Sequence, residues 1–181
     1  MALLSRIGVN LVLGLVLLLG CAGAQGPAVA EYQVTAAYLY NFAKFVEWPP
    51  EAFSSVDEPI GICVLGKNPF GSVLEQTVRG KVVANRTFVV RQISNTQQST
   101  KCHIVFVSAS EGKRSLVFLE ELKSKRVLTI SETDGVNWDG GVIGLSLKDG
   151  RVRIEIDPVA AERAGLRISS KLLSLAEIKK Q

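Results

Sequence analysis

Hydrophobic positions crowd most densely between Tyr32 and Trp48. Val34, Ala37, Tyr38, Asn41, Phe42, Phe45 and Trp48 recur at the i, i+3, i+4 spacing of one helical face, and no breaker intervenes before Pro49. The pattern predicts a helix over 32–48 with that face inward, led by Phe42 and Phe45. Ala36, Leu39, Tyr40, Ala43 and Val46 make the other side nearly as apolar. A helix that is greasy almost all round is buried in its own protein or covered by a partner. Plain core accounts for any single aromatic in it; the tyrosines suit a partly wet surface better.

Downstream the period changes. The stretch 60–66 is apolar on both alternating sides, as is 101–108, and 127–130 is a third short run of this kind. Such runs read as strands covered on both faces, as in a parallel sheet. Between them lie helical signals. Asn68 and Pro69 are placed to cap and open a helix reaching about Val78, and Ser110 opens another with a stripe of Leu116, Val117, Leu119 and Leu122. The stretch 86–93 is β-branched and partly alternating, and 94–100 is a polar loop. Two further runs, 142–147 and 151–156, flank Lys148-Asp149-Gly150, a hairpin signal. In the second run Val152, Ile154 and Ile156 alternate with charged residues, which places it towards a sheet edge. Asp157-Pro158 starts a short helix that Gly165 stops, and Ser169 or Ser170 caps a last one carrying Leu172, Leu173, Leu175 and Ala176. The order predicts an α/β fold: a single layered domain with a central, mainly parallel sheet, helices on both faces, and a C-terminal hairpin plus helix.

The N-terminus changes the setting. Arg6, an apolar core over 9–19 and the small residues Ala22-Gly23-Ala24 match a secretory signal peptide over 1–24, with Ala28-Val29-Ala30 as a second cleavage site. Leu18-Leu19-Gly20-Cys21 also resembles a lipobox, which would put a lipid anchor on Cys21; an uncleaved membrane anchor is the plainer alternative. Removal of the signal leaves about 157 residues, one ordinary domain, here taken as 31–181. The net charge of +4 is scattered rather than striped, which argues against nucleic acid as a partner. Two cysteines remain, Cys63 and Cys102. In an exported chain such a pair reads as one disulfide, with two separately buried thiols as the alternative.

Candidate chemistry is thin. The residues 61–67 mimic the glycine and lysine spacing of a phosphate loop, but Asn68 stands where Ser or Thr is needed and the intervening residues read as strand. His103, the only histidine, cannot assemble a triad or a metal cluster by itself. Asp134, Asn137 and Asp139 lack the spacing of a calcium loop. No catalytic residue, metal site or cofactor site is assigned. One constellation is less bland: Lys67, Asn68, Ser108, Ser110 and Ser131 all follow core strands. In a parallel sheet they would meet at its carboxyl edge, where open α/β folds place ligands.

Taken in order, several motifs resemble those of the YfiR/HmsC-like family of bacterial periplasmic proteins. They are Ala-Ala-Tyr-Leu-Tyr-Asn-Phe-Ala-Lys-Phe-Val-Glu-Trp-Pro at 36–49, the stretches 62–66 and 68–71, Cys-His-Ile-Val-Phe-Val-Ser at 102–108, and the runs 127–131, 150–156 and 164–173. The resemblance implies a non-enzymatic periplasmic α/β domain, often dimeric, whose best-known member restrains an inner-membrane diguanylate cyclase through the cyclase's periplasmic region. That action lowers cyclic di-GMP and biofilm formation. It also implies that Cys63 and Cys102 form the family's disulfide; the second cysteine pair of that relative, near the hairpin, has no counterpart here. A membrane signalling protein is then the expected partner, with Tyr38, Tyr40, Trp48 and Arg167 as candidate contacts. A small-molecule-binding module built on the strand-end loops is the alternative.

Overall fold

The computed structural model describes residues 27–133, 140–148 and 151–179. The signal segment with Cys21, the 134–139 loop with its candidate calcium residues, and the 149–150 turn lie outside the described residues. The chain runs α1 (Pro27–Phe45), β1 (Val46–Glu47), β2 (Ile60–Leu65), α2 (Val73–Val78), β3 (Phe88–Ile93), β4 (Ile104–Val107), α3 (Arg114–Leu122), β5 (Leu128–Glu132), β6 (Ile143–Lys148), β7 (Arg151–Ile156), α4 (Pro158–Arg163), β8 (Arg167–Ile168), α5 (Ser170–Leu173) and β9 (Glu177–Ile178). Seven strands form one sheet in the order β3-β2-β4-β5-β6-β7-β9. Its first five are parallel; β6 and β7 form the antiparallel pair, with Lys148 opposite Arg151, and β9 runs parallel to β7. The order reverses between β2 and β4, the switch point of a doubly wound sheet.

Strand alternation divides the core. Ile62, Val64, Ile104, Phe106, Leu128 and Ile130 point to one face, under α1 and α2. Cys63, Leu65, Val105 and Val107 point to the other, under α3. On that second face Cys63 and Cys102 are joined in a disulfide, Cα to Cα 5.7 Å, which leaves no room for the separate-thiol alternative. Gly61 marks a close approach: a Cβ there would lie 2.0 Å from the carbonyl oxygen of Lys101.

Several boundaries differ from the sequence pattern, each for a local reason. The first helix ends at Phe45 rather than Trp48, because Val46–Glu47 leaves it to pair with β8. Its buried side is also rotated. Thr35, Ala36, Leu39, Phe42 and Ala43 face the core, while Val34 is 41% exposed and Ala37, Tyr38, Asn41 and Phe45 lie outward or at the boundary. With both sides apolar, periodicity alone could not choose between them. After β2, Asn68 does cap, accepting from Phe70 N–H (2.9 Å), but Gly71 adopts a positive φ of 54° and α2 begins only at Val73. Residues 96–101 form a 3-10 helix that Asn95 caps. Ser110 lies in a further 3-10 turn, Ala109–Glu111, and Gly112 (φ 50°) separates it from α3. Within α3 only Leu119 and Leu122 are buried, whereas Leu116 and Val117 are exposed. Ser169 caps α5, which is a single turn; the chain then extends into β9, and Leu175 points to solvent.

Candidate functional site

The outer side of α1 is built by simple helical arithmetic. Residues two apart point roughly 200° away from one another, so Tyr38 and Tyr40 occupy opposite flanks of the helix. Tyr40 leans towards β3, its ring 5.8 Å from Phe88 and edge-on, with Lys44 Nζ 5.4 Å above it. Tyr38 lies on the other flank, 5.9 Å from Phe42. Between them, Val34, Ala37, Asn41 and Phe45 form a stripe that the sheet leaves uncovered in full or in part. Trp48 takes a different role: its indole N–H donates to the carbonyl of His103 (3.1 Å), tying the segment after α1 to the sheet. Arg167 is exposed on β8, opposite Glu47. Tyr38 and Tyr40 therefore do not share a flank, whereas Trp48 directly follows Glu47, the pairing partner of Arg167.

The strand-end loops do leave one edge of the sheet, and there they fill the switch-point crevice themselves. Lys67 N–H donates to Ser110 Oγ (2.9 Å). A Cβ on Gly66 would meet Glu111 Oε1 at 2.5 Å and Ser110 Oγ at 2.8 Å, so the side chains of this 3-10 turn press against the backbone where a ligand would enter. Glu111, largely buried, pairs with Arg114 (3.0 Å) and sets a carboxylate where an anion would sit. Ser108 accepts from Ser110 N–H (3.3 Å), and Ser131 Oγ donates to Gly140 O (3.1 Å). Asn68 is occupied with its own turn.

One polar group in this region had no signal in the sequence. Glu132, at the end of β5, accepts from the Tyr32 hydroxyl (2.7 Å) and from Ala109 N–H (2.9 Å), bridging α1 to the loop after β4. Burial first, and then the Glu132 carboxylate, push the Tyr32 phenol up to about 12. The adjoining cavity, about 70 Å³ between Thr35, Phe106, Thr133 and Leu145, has room for little more than water.

Across the sheet, at the amino edge, His103 is a structural node. Its Nδ1 accepts from Gly61 N–H (3.0 Å), its Nε2 lies 3.1 Å from Ala52 O, and its ring stacks on Phe53 (4.2 Å). Arg86 covers that phenyl ring (3.6 Å) and donates to the carbonyls of Ser55 (3.0 Å) and Glu58 (2.6 Å). Burial, with the cations Arg86 and Arg91 adding to it, holds the imidazole below its usual range despite its bond to Ala52 and the nearby Glu58. Among the described residues no three His, Cys, Asp or Glu side chains gather as a metal site, and no helix is long and apolar enough to cross a membrane.

Comparison with known proteins decides the family. The YfiR/HmsC-like family model matches residues 32–177, from the start of the aromatic helix to β9. The chain belongs to the YfiR/HmsC-like family. No functionally curated protein matches it. Two solved structures resemble it in outline: the ABC domain in complex with L-Trp from Streptococcus pneumoniae (10% identity, TM-score 0.49, 66% of this chain and 56% of that one) and a conserved domain protein from Vibrio cholerae (12%, 0.49, 85% and 60%). This chain thus spans little more than half the length of either.

Membership of the YfiR/HmsC-like family makes sense of the motif at 36–49 in physical terms. Leu39, Phe42 and Ala43 are core, Trp48 locks the following segment to His103, and Ala37, Tyr38, Asn41 and Phe45 form the half-covered stripe. The alternation of core and stripe is visible in the sequence. Which side faces the sheet is not.

Proposed function

We propose that this protein is an exported, non-enzymatic regulator that binds the periplasmic part of an inner-membrane sensor, foremost a diguanylate cyclase, and lowers cyclic di-GMP output while bound. The observation that carries the reading is the half-covered stripe on the first helix of a YfiR/HmsC-like domain, where Val34 and Ala37 are exposed and Tyr38, Asn41 and Phe45 are partly buried. The exposed edges of Tyr38 and Phe45 beside Val34 give the face apolar area that a partner would cover. The stripe alone falls short of the roughly 800 Å² per partner of a stable interface. α5 packs against α1, and Leu175, just beyond α5, is exposed and offers further apolar surface. Binding biases a two-state sensor only if the regulator prefers one state, so the expected contact is specific to the cyclase's restrained form. The reading supports export to the periplasm, with or without a lipid on Cys21.

A photo-crosslinking residue in place of Tyr38 tests this in intact cells. Adducts carrying peptides from the periplasmic portion of a membrane signalling protein support the reading. Adducts with other copies of this chain alone, or none, count against it.

A further inference from the structure

At one edge of the seven-stranded sheet the two-residue β9 pairs with the last two residues of β7; at the other, β3 is open along all six of its residues, Phe-Val-Val-Arg-Gln-Ile. Ile60 N–H donates to Thr87 O (2.8 Å) and Gly66 N–H to Ile93 O (3.4 Å) in the parallel β2–β3 ladder. Those bonds set the phase. Thr87, Val89, Arg91 and Ile93 turn their backbone groups to β2, so Phe88, Val90 and Gln92 turn their N–H and C=O groups outward. None of these outward groups has a hydrogen-bond partner among the described residues. The strand contains no proline and a single charge, so the usual blunting of an edge is slight.

Charge selects what can pair there. The stretch 79–101 carries Arg79, Lys81, Arg86, Arg91 and Lys101 and not one carboxylate. Arg86 and Arg91 donate to backbone carbonyls, and none of the five forms an ion pair among the described residues. The carboxylates tied to this region from other elements are Glu58, held by Ser54 N–H, and Glu121, held by the Thr96 hydroxyl. A second copy of the chain would set five cations against five. We propose that β3 instead accepts an extended acidic segment of another protein as a further strand. The segment's backbone pairs with Phe88, Val90 and Gln92, its apolar side chains lie beside Phe88 and Val90, and its carboxylates meet Arg91 and the flanking cations. This inference does not rest on the regulator reading or on the α1 stripe.

The test uses a short peptide alternating Glu with Val, and its counterpart with Lys in place of Glu, against the folded protein. Affinity is followed by calorimetry and location by amide NMR. The Glu peptide is expected to bind, more weakly as salt rises, and to shift Phe88, Val90 and Gln92. Gln92→Pro removes an outward donor that β2 does not use, so the domain stays folded while affinity falls about tenfold. Arg91→Glu is expected to weaken binding by a similar factor, about tenfold, through charge alone. Gln92→Ala, which loses only the side-chain bond to Gly66 O, should bind like the native protein. The proposal fails if neither peptide binds, if the Lys peptide binds as well, if the shifts fall elsewhere, or if Gln92→Ala weakens binding as much as Gln92→Pro. It fails equally if Gln92→Pro dissociates a dimer, which would give the edge to a second copy.

Discussion

The two faces of the sheet are covered unequally. On one face α1 lays Leu39, Phe42 and Ala43 over Ile62, Val64, Phe106 and Ile130, and aromatic contacts continue through Phe70, whose ring lies 5.0 Å from Phe106. On the other face the short helix α3 contributes only Leu119 and Leu122 to the buried core, and Cys63 is covalently joined to Cys102. Each face draws its stability from a different source. The first relies on buried area and shape, the second on a thinner layer with a crosslink that restricts the unfolded chain. It also explains why α1 can leave one of its own sides only half covered: its inner residues already seal the face beneath.

Breaking the thick face should cost most. Phe106→Ala, at a fully buried ring beneath α1, is expected to destabilise the domain by about 3–5 kcal/mol in urea unfolding. Next comes the staple. The double variant Cys63→Ala/Cys102→Ala is expected to lose about 3–4 kcal/mol, the chain-entropy value for a loop of this length. A loss below about 1 kcal/mol in calorimetric melting would show that the second face does not depend on it. Leu119→Ala, under the same short helix, should cost about 2–3 kcal/mol, at the low end because α3 can settle into the space.

A pH series sharpens the comparison at the sheet's amino edge. His103 is held below its usual range when folded, so the unfolded chain takes up a proton that the native state refuses. Stability should therefore be full above about pH 6.5 and decline as pH falls from there towards the lower folded-state value. Glu58, held below its ordinary value chiefly by Ser54 N–H, adds a loss in the same direction at more acid pH. In His103→Gln the decline between neutral and mildly acid pH should largely vanish; an unchanged profile would assign it elsewhere. The smallest expected effect on stability is at the open stripe, where Val34→Glu should change it by no more than about 0.5 kcal/mol.

Much of this architecture was legible in the chain. Strands apolar on both sides announced a parallel sheet, and Asp157-Pro158 marked α4, where Asp157 accepts from Ala160 N–H as a cap. The disulfide was expected from the signal-like N-terminal pattern and from the family resemblance, and the geometry bears it out. What stayed hidden depended on long-range pairing. Nothing local marks Val46–Glu47 as a strand, because its partner Arg167–Ile168 lies far along the chain. The inward side of α1 could not be read because both sides are apolar. The Tyr32–Glu132 bond joins residues one hundred positions apart, and the crevice-filling role of Ser110 and Glu111 depends on Gly66 coming within contact distance of them.

We propose that the domain regulates by contact through the side of α1 that its own core leaves half covered. Cellular cyclic di-GMP tests it most directly, measured in cells lacking the protein and in cells restored with the native chain or with Val34→Glu/Ala37→Glu. Loss of the protein should raise the nucleotide, the native chain should bring it down, and the folded variant should leave it high. A variant that lowers cyclic di-GMP as fully as the native chain would rule out this surface, and a level that does not respond to the protein at all would rule out the regulator.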